Sequence, residues 1–296
     1  MEKVSVIIPV YNKFDKLFSA IDSALSQDYP ELEIIVSDDG SKDFPFRKVE
    51  EYILEKKQDN LFNYEIIANK KNMGTVRNMN GAIKASHGDI LINLAGDDRF
   101  CEKNTVSKIV RSMNLSGYDN LVCRRKTEDN KYIPSDSEIR RINKNNTAQK
   151  QNIAFIRGYF WNMASGSVLA LRRNFIYKMG LYDDRYILWE DGPLFYKITR
   201  KGIKINTDYS IVSVIYSEEG ISNIPNKKMK SDEKRFLKVL LKDNNINIRN
   251  KKIIKYRLIR KFIYEKYNYK QKIKFFIRFF DTIIIRTIVY LKVKRR

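Results

Sequence analysis

Two apolar runs that each end in adjacent aspartates constrain this chain more than any other feature. Glu33–Ser37 (EIIVS) gives way to Asp38-Asp39-Gly40, and Asp89–Leu94 gives way to Ala95-Gly96-Asp97-Asp98. A third run, Val4–Val10, lacks polar alternation, the mark of a strand buried on both faces. Between the runs the period changes. Leu17, Ile21 and Leu25 recur four apart, which predicts a helix, with Asn12 as its cap and Asp15 in a capping-box-like position. Residues 47–57, 75–86 and 103–114 also read as helices, and 62–68 as a strand. This alternation predicts an α/β fold with a Rossmann-like, mostly parallel central sheet and helices on both faces. Ligands of such sheets bind beyond the carboxyl ends of the strands, where both aspartate pairs fall.

Further along, residues 126–152 are polar and read as a loop passing over the site. Order resumes with a strand at Gly166–Leu171, a helix at 191–201 and a strand at 210–216. After Pro225 there is neither Pro nor Gly, and the pattern turns helical and basic, so we divide the chain at 1–225 and 226–296. Residues 251–296 hold 16 Lys/Arg against Glu265 and Asp281, out of a formal charge of +22 for all 296 residues. Two cysteines exclude a disulfide-built domain, and the single His87 excludes a multi-histidine metal centre. The first apolar run has no cationic leader, and nowhere do 18 uncharged apolar residues follow one another, so neither a signal peptide nor a membrane-spanning helix is expected. A reducing cytosol is the compartment these features suit.

The acids can carry chemistry. Asp38-Asp39 precede Gly40 and fit a turn, but no alternating strand follows to complete a hairpin. Asp97 and Asp98 can cap a helix, or hold a hard divalent cation (Mg²⁺ or Mn²⁺) beside a diphosphate, one carboxylate on the metal and its neighbour on a sugar hydroxyl. Leu188-Trp189-Glu190-Asp191-Gly192-Pro193 reads as a helix start. A cap leaves Trp189 unexplained, whereas a Trp at a rim can face a sugar ring and a neighbouring carboxylate can take a hydroxyl proton. Asn72–Asn78 leads into a helix whose N-terminus suits phosphate, with Arg77 as its partner or simply solvated.

Taken together, VSVIIPVYN at 4–12, EIIVSDDGSKD at 33–43, NMGTVRNMNGAI at 72–83, GDILINLAGDD at 88–98 and WEDGPLF at 189–195 resemble an inverting glycosyltransferase of family 2 with the GT-A fold. The resemblance covers about residues 3–220. It implies a nucleotide-binding set of Pro9, Tyr11, Asn12, Asp38, Asp39, Arg77 and Asp97, with Asp39 towards uracil, Asp97 towards ribose and Asp98 on the metal. Asp191 is then the catalytic base with Glu190 adjacent, and Trp189 and Trp161 are the candidates for sugar or acceptor contact. Two positions depart from the pattern: Ala95 replaces a frequent acid, and a late histidine is missing from Tyr216–Asn223, where Glu218 or Glu219 could stand in. The implied substrates are a UDP-sugar donor and a glycan acceptor, polyprenyl-linked, for capsule, lipopolysaccharide or another surface polysaccharide. The implied place is peripheral on the inner face of a bacterial cell membrane; the sequence leaves a homo-oligomer open.

The basic tail fits that setting. At 100° per residue Ile273, Phe276, Ile277, Phe280, Ile284, Ile288 and Leu291 share one side of a helix, with cations around the remainder. Such a helix lies in a membrane interface or packs on the body. Nucleic acid is not the expected partner, because the aromatics share the aliphatic side. The alternative class is a non-catalytic membrane- or nucleic-acid-binding protein on the same fold, against which the three acidic sites stand. A nucleotidyltransferase would need a glycine- and arginine-rich first loop, but the chain has Pro9-Val10-Tyr11-Asn12-Lys13 there.

Overall fold

The computed structural model describes residues 1–144, 147–158, 164–217 and 226–294. Its first half follows the apolar runs closely: β1 (Val4–Val10), α1 (Leu17–Leu25), β2 (Leu32–Asp38), α2 (Phe46–Lys56), β3 (Leu61–Ala68), α3 (Thr75–Ala85) and β4 (Ile90–Asn93). β1 lies between β2 and β4, β3 flanks β2, and all these pairings are parallel. The side chains of β1, β2 and β4 are buried because helices cover the sheet, α1 and α3 resting on β1 and β2 through Leu17, Ile21, Val76 and Ile83, while the edge strand β3 is half-buried. In register, Val10 pairs with Asp38 and Ile7 with Asn93, so the three strands finish at one edge.

The second half adds β5 (Arg99–Phe100), α4 (Thr105–Ser116), β6 (Asn120–Thr127), β7 (Tyr132–Ile133), α5 (Asp136–Asn143), α6 (Ala148–Arg157), β8 (Leu169–Arg172), α7 (Arg173–Lys178), α8 (Asp191–Arg200) and β9 (Thr207–Tyr216). The sheet runs β3-β2-β1-β4-β8-β6-β9-β5, with β7 beside β6. β8 is antiparallel to both β4 and β6, while β6 and β9 are parallel, so the sheet is mixed but mostly parallel. Three helices close the chain: α9 (Lys227–Lys242), α10 (Ile248–Phe262) and α11 (Tyr269–Lys294).

Several expectations need correction. Asn12 does not cap α1. It sits at φ 51°, its side chain accepts from the Lys42 amide (3.1 Å), and the helix begins at Leu17 without a side-chain cap. Residues 126–152 are not an open loop but carry α5 and α6. Ser135 and Glu138 form a reciprocal capping box and Thr147 caps the next helix, local signals that outweigh the polar composition. The break near 225 does not separate two bodies either, because Phe236, Leu237 and Leu240 of α9 and Ile254 of α10 lie in the same core as the sheet.

α11 does stand partly apart. Its inner side packs on α10, Phe275 stacking on Tyr256 at 5.5 Å and Phe279 buried next to it. Its outer side leaves Ile273, Phe276, Ile277, Phe280 and Ile284 exposed, Phe276 at 52% and Ile277 at 70%. Among the described residues no helix is long and apolar enough to cross a membrane.

Candidate functional site

Each acidic pair occupies the loop after a strand of the parallel edge. The Asp39 amide donates to the Val10 carbonyl (2.9 Å) and the Gly96 amide to Pro9 (3.0 Å), so loops 9–12, 38–41 and 95–98 abut. Asn12 joins them through its amide on Ser41 Oγ (2.7 Å), and Tyr11 is exposed beside it.

Asp38 and Asp39 are largely spent on this scaffold. Asp38 accepts the Ser41 amide (2.8 Å) and its hydroxyl, an Asx turn. Asp39 accepts Met73 N–H on one oxygen (2.8 Å) and Gly74 N–H on the other (3.0 Å). Burial raises the Asp39 carboxyl above its ordinary value and those two amides oppose the rise. Gly74 is required there: its φ is +89°, and a Cβ would stand 2.5 Å from the Ile187 carbonyl oxygen.

Asp98 differs. Only 4% exposed, it accepts the Ser217 amide on Oδ1 (2.9 Å), and no hydrogen bond to Oδ2 is found among the described residues. Burial, with Asp97 adding to it, pushes its carboxyl up to about 7 against the pull of Ser217 N–H, Arg125 and Lys16. A carboxylate held ionised only reluctantly, with an oxygen unspent and a second acid adjacent, fits a divalent cation. No cluster of three or more His, Cys, Asp or Glu is found among the described residues. Asp98 and Asp97 would thus hold such an ion together with diphosphate and water oxygens, as is usual for Mg²⁺ and Mn²⁺. Glu218 and Glu219 lie outside the described residues, as does Trp161. His87 is no ligand here. It sits at the opposite end of the sheet, its Nδ1 2.7 Å from the buried Glu33.

Asp191 opens α8 and reaches the same edge through β4. Asn93, the last residue of β4, donates to the Gly166 carbonyl (3.0 Å), and the Gly166 amide donates to Asp191 Oδ2 (2.9 Å). Gly192 N–H serves Oδ1 (2.6 Å), and the Trp189 indole also donates to the carboxylate. Burial raises both Glu190 and Asp191, and each raises the other's cost of ionising. The amides of Gly166 and Gly192, the Trp189 indole and the charge of Arg125 all act on Asp191 and oppose its rise, whereas Glu190 has fewer such groups. Gly166 allows this closeness, since a Cβ there would meet Glu190 Oε1 at 2.4 Å.

The charge of Arg125 of β6 acts on both Asp98 and Asp191, lowering the cost of ionising each. It is held by Ser165 (3.1 Å) and Ser167 (3.2 Å) and lies over the Tyr216 ring at 4.4 Å. Sequence reasoning missed it, along with Lys16, whose Nζ donates to Ser217 Oγ (3.1 Å), and Asp232. Asp232 of α9 is 2% exposed, and its Oδ2 accepts the amides of Ile187 (2.9 Å), Leu188 (2.7 Å) and Trp189 (3.2 Å), the segment that delivers Glu190 and Asp191. The Asn-Ile-Pro stretch before α9 offers no hint of it.

Trp189 is not a rim residue. It is 5% exposed, its ring set edge-on to Phe236 at 5.1 Å, and its only polar atom turns to Asp191. Its place beside the acids reflects packing and orientation. Arg77 is exposed on α3, in a cavity beyond Met73 rather than among the Asp98 contacts.

The family model described as glycosyl transferase family 2 matches residues 5–180. An uncharacterized glycosyltransferase of Rickettsia felis is 30% identical over 232 residues, 75% of this chain and 36% of that protein. The Campylobacter jejuni GalNAc(5)-diNAcBac-PP-undecaprenol beta-1,3-glucosyltransferase is 27% identical, over 64% of this chain and 59% of that one. The chain thus spans between about a third and three fifths of the length of these relatives. Among solved structures, S. aureus TarS 1–349 in complex with UDP-GlcNAc aligns with TM-score 0.65 at 17% identity, over 94% of this chain and 80% of that one. A Pyrobaculum calidifontis mannosyltransferase in complex with GDP-Man and Mn²⁺ gives 0.60 at 16% identity, over 87% and 69%. At such identities these matches speak to the fold, which is the GT-A type.

Proposed function

Because this chain belongs to glycosyl transferase family 2, we propose that it moves a sugar from a UDP-sugar to a hydroxyl of a lipid-linked glycan, inverting the anomeric carbon. The observation that carries the reading is that Asp98 and Asp191, buried acids from separate stretches of the chain, both feel the charge of Arg125. Asp191 takes the proton of the acceptor hydroxyl as its oxygen attacks the anomeric carbon from the face opposite the diphosphate. The bond to the diphosphate breaks and its electron pair leaves with that group, where Arg125 and Lys16 stabilise the growing charge. A divalent cation held by Asp98 and Asp97, when bound, adds Lewis-acid stabilisation of the same charge. Loops 9–12 and 38–41, with Asp39 fixing residues 73–74, form the wall for the nucleotide. The TarS complex with UDP-GlcNAc supports the donor, and the undecaprenol-linked substrate in the name of the C. jejuni relative supports the acceptor class.

Asp191→Asn tests the mechanism. It should lower transfer by roughly 10³-fold, within the range of lost general bases, while UDP affinity by calorimetry stays within a few-fold. Joint loss of UDP binding would make Asp191 a donor or scaffold residue instead.

The exposed stripe of α11, flanked by Lys and Arg, supports seating on an anionic membrane surface, where each cation adds about 1 kcal/mol. Phe276→Glu with Ile277→Glu should abolish flotation with phosphatidylglycerol vesicles and leave the thermal midpoint unchanged, since both side chains are exposed. Undiminished flotation would remove the stripe from the membrane account.

A further inference from the structure

A second cationic feature lies outside the acidic cleft. Arg77 on α3, Arg185, and Lys228 and Arg235 on α9 line a cavity of about 430 Å³ whose only acid is Asp184. Among the described residues neither Arg77 nor Arg235 forms an ion pair, and Lys228 donates to Asn72 Oδ1 (3.3 Å) and feels Asp39 only at longer range. Arg185 is forked onto Asp183 through Nε (2.8 and 3.1 Å) and Nη2, which fixes the guanidinium and leaves Nη1 unspent. Cations gathered in one concavity repel each other unless an anion joins them. A flat solvated surface would let them spread, but these walls are fixed. Val76 N–H donates to the Ile187 carbonyl (3.2 Å), Gly74 packs against Ile187, and Asp232 clamps residues 187–189. Guanidinium forks suit phosphate oxygens, and with Arg185 paired to Asp183 a formal surplus of two positive charges remains, which suits a diphosphate.

We propose that this cavity is an acceptor subsite that binds the diphosphate joining a sugar to a polyprenyl lipid. The assignment rests on the transfer reaction proposed above. One side of the cavity, at Met73, adjoins the wall held by Asp39, and the other leads to the proposed base. Ile187 lines the cavity and Asp191 follows four residues later, a span of at most about 14 Å for extended chain. A diphosphate held here places the hydroxyl of a sugar close behind it within reach of the base, so the acceptor is a short sugar chain on its lipid rather than a long polymer. The helices point the same way. α9, which supplies two of the cations, is tied to α10 by the Lys261–Glu233 ion pair, and α10 carries α11 with its outward apolar stripe.

The test is calorimetric, on the full chain held at saturating UDP and Mn²⁺, with geranyl diphosphate as probe. Geranyl diphosphate should bind alongside UDP and more tightly than inorganic pyrophosphate. Arg235→Gln and Arg185→Gln, both at exposed side chains, should each raise its Kd about tenfold or more, the scale of a lost charge-assisted hydrogen bond, and change the Kd of UDP less than twofold. Arg235→Lys should recover part of the loss. Competition between UDP and geranyl diphosphate would hand the cavity to the donor. Equal affinity for pyrophosphate, or unaltered binding in both variants, would also overturn the assignment. A protein that fails to bind UDP at all would instead undo the transfer reaction on which the subsite rests.

Discussion

The two aspartate pairs look alike in the sequence and do opposite things in the fold. Asp38 and Asp39 turn inward: between them they accept the amides of Ser41, Met73 and Gly74, and their work is to join loops. In the second pair Asp98 takes one amide, from Ser217, and stays costly to ionise at about 7. A buried carboxylate supplied with several N–H donors is tied into the scaffold, whereas one with a single donor keeps an oxygen for another partner.

Substitution at the second pair should have the largest effect. Asp98→Asn should reduce UDP release from donor by about 10²–10³-fold, the range for losing one electrostatic stabiliser, and erase the Mn²⁺ dependence of UDP binding, yet raise the thermal midpoint of the protein without ligands. Asp39→Asn should do the reverse. Losing a charged acceptor for two amides costs about 1.5–3 kcal/mol, visible as a lower urea midpoint, with transfer falling only as far as the loop loosens. Matching profiles for the two variants would break the contrast.

The smallest effect sharpens it through pH. Unfolded, Asp98 releases its proton near 3.9, whereas folded it keeps it up to about 7. The folded state therefore binds more protons between those values, and stability without ligands falls as pH rises from about 4 to 7. The Glu190–Asp191 pair, also raised, adds to the slope. Thermal midpoints taken across that range should decline in the native chain and decline less in Asp98→Asn. Saturating UDP with Mn²⁺ should flatten the curve, because the cation favours the ionised form. An unchanged slope in the variant would show that Asp98 is not the buried acid responsible.

These contrasts also explain what was legible. β1, β2 and β4 are mostly apolar because both their faces are covered, so their ends, and the acids there, could be placed from sequence. The converse holds for β6. Five of the eight residues of Asn120–Thr127 are cationic or polar, so the stretch does not read as a strand, and the influence of Arg125 on Asp98 and Asp191 depends on β6 pairing with β8 and β9 far along the chain. The capping box at Ser135 was present in the sequence but masked by polar composition. Trp189 was noticed and misread, since nothing local says that Phe236, 47 residues on, will cover its ring. The tail stripe was legible as far as Ile284 because helical period alone decides which residues share a side.

Asp232 bears on how such a chain should be divided. The family match stops at residue 180, before Asp191 and well before α9, yet one α9 carboxylate anchors the three amides leading into Glu190. A fragment ending with the family match would keep the loops after β1, β2 and β4 and lose the carboxylate that holds residues 187–189. The closing helices are thus joined, through a single side chain, to the turn that carries Glu190 and Asp191.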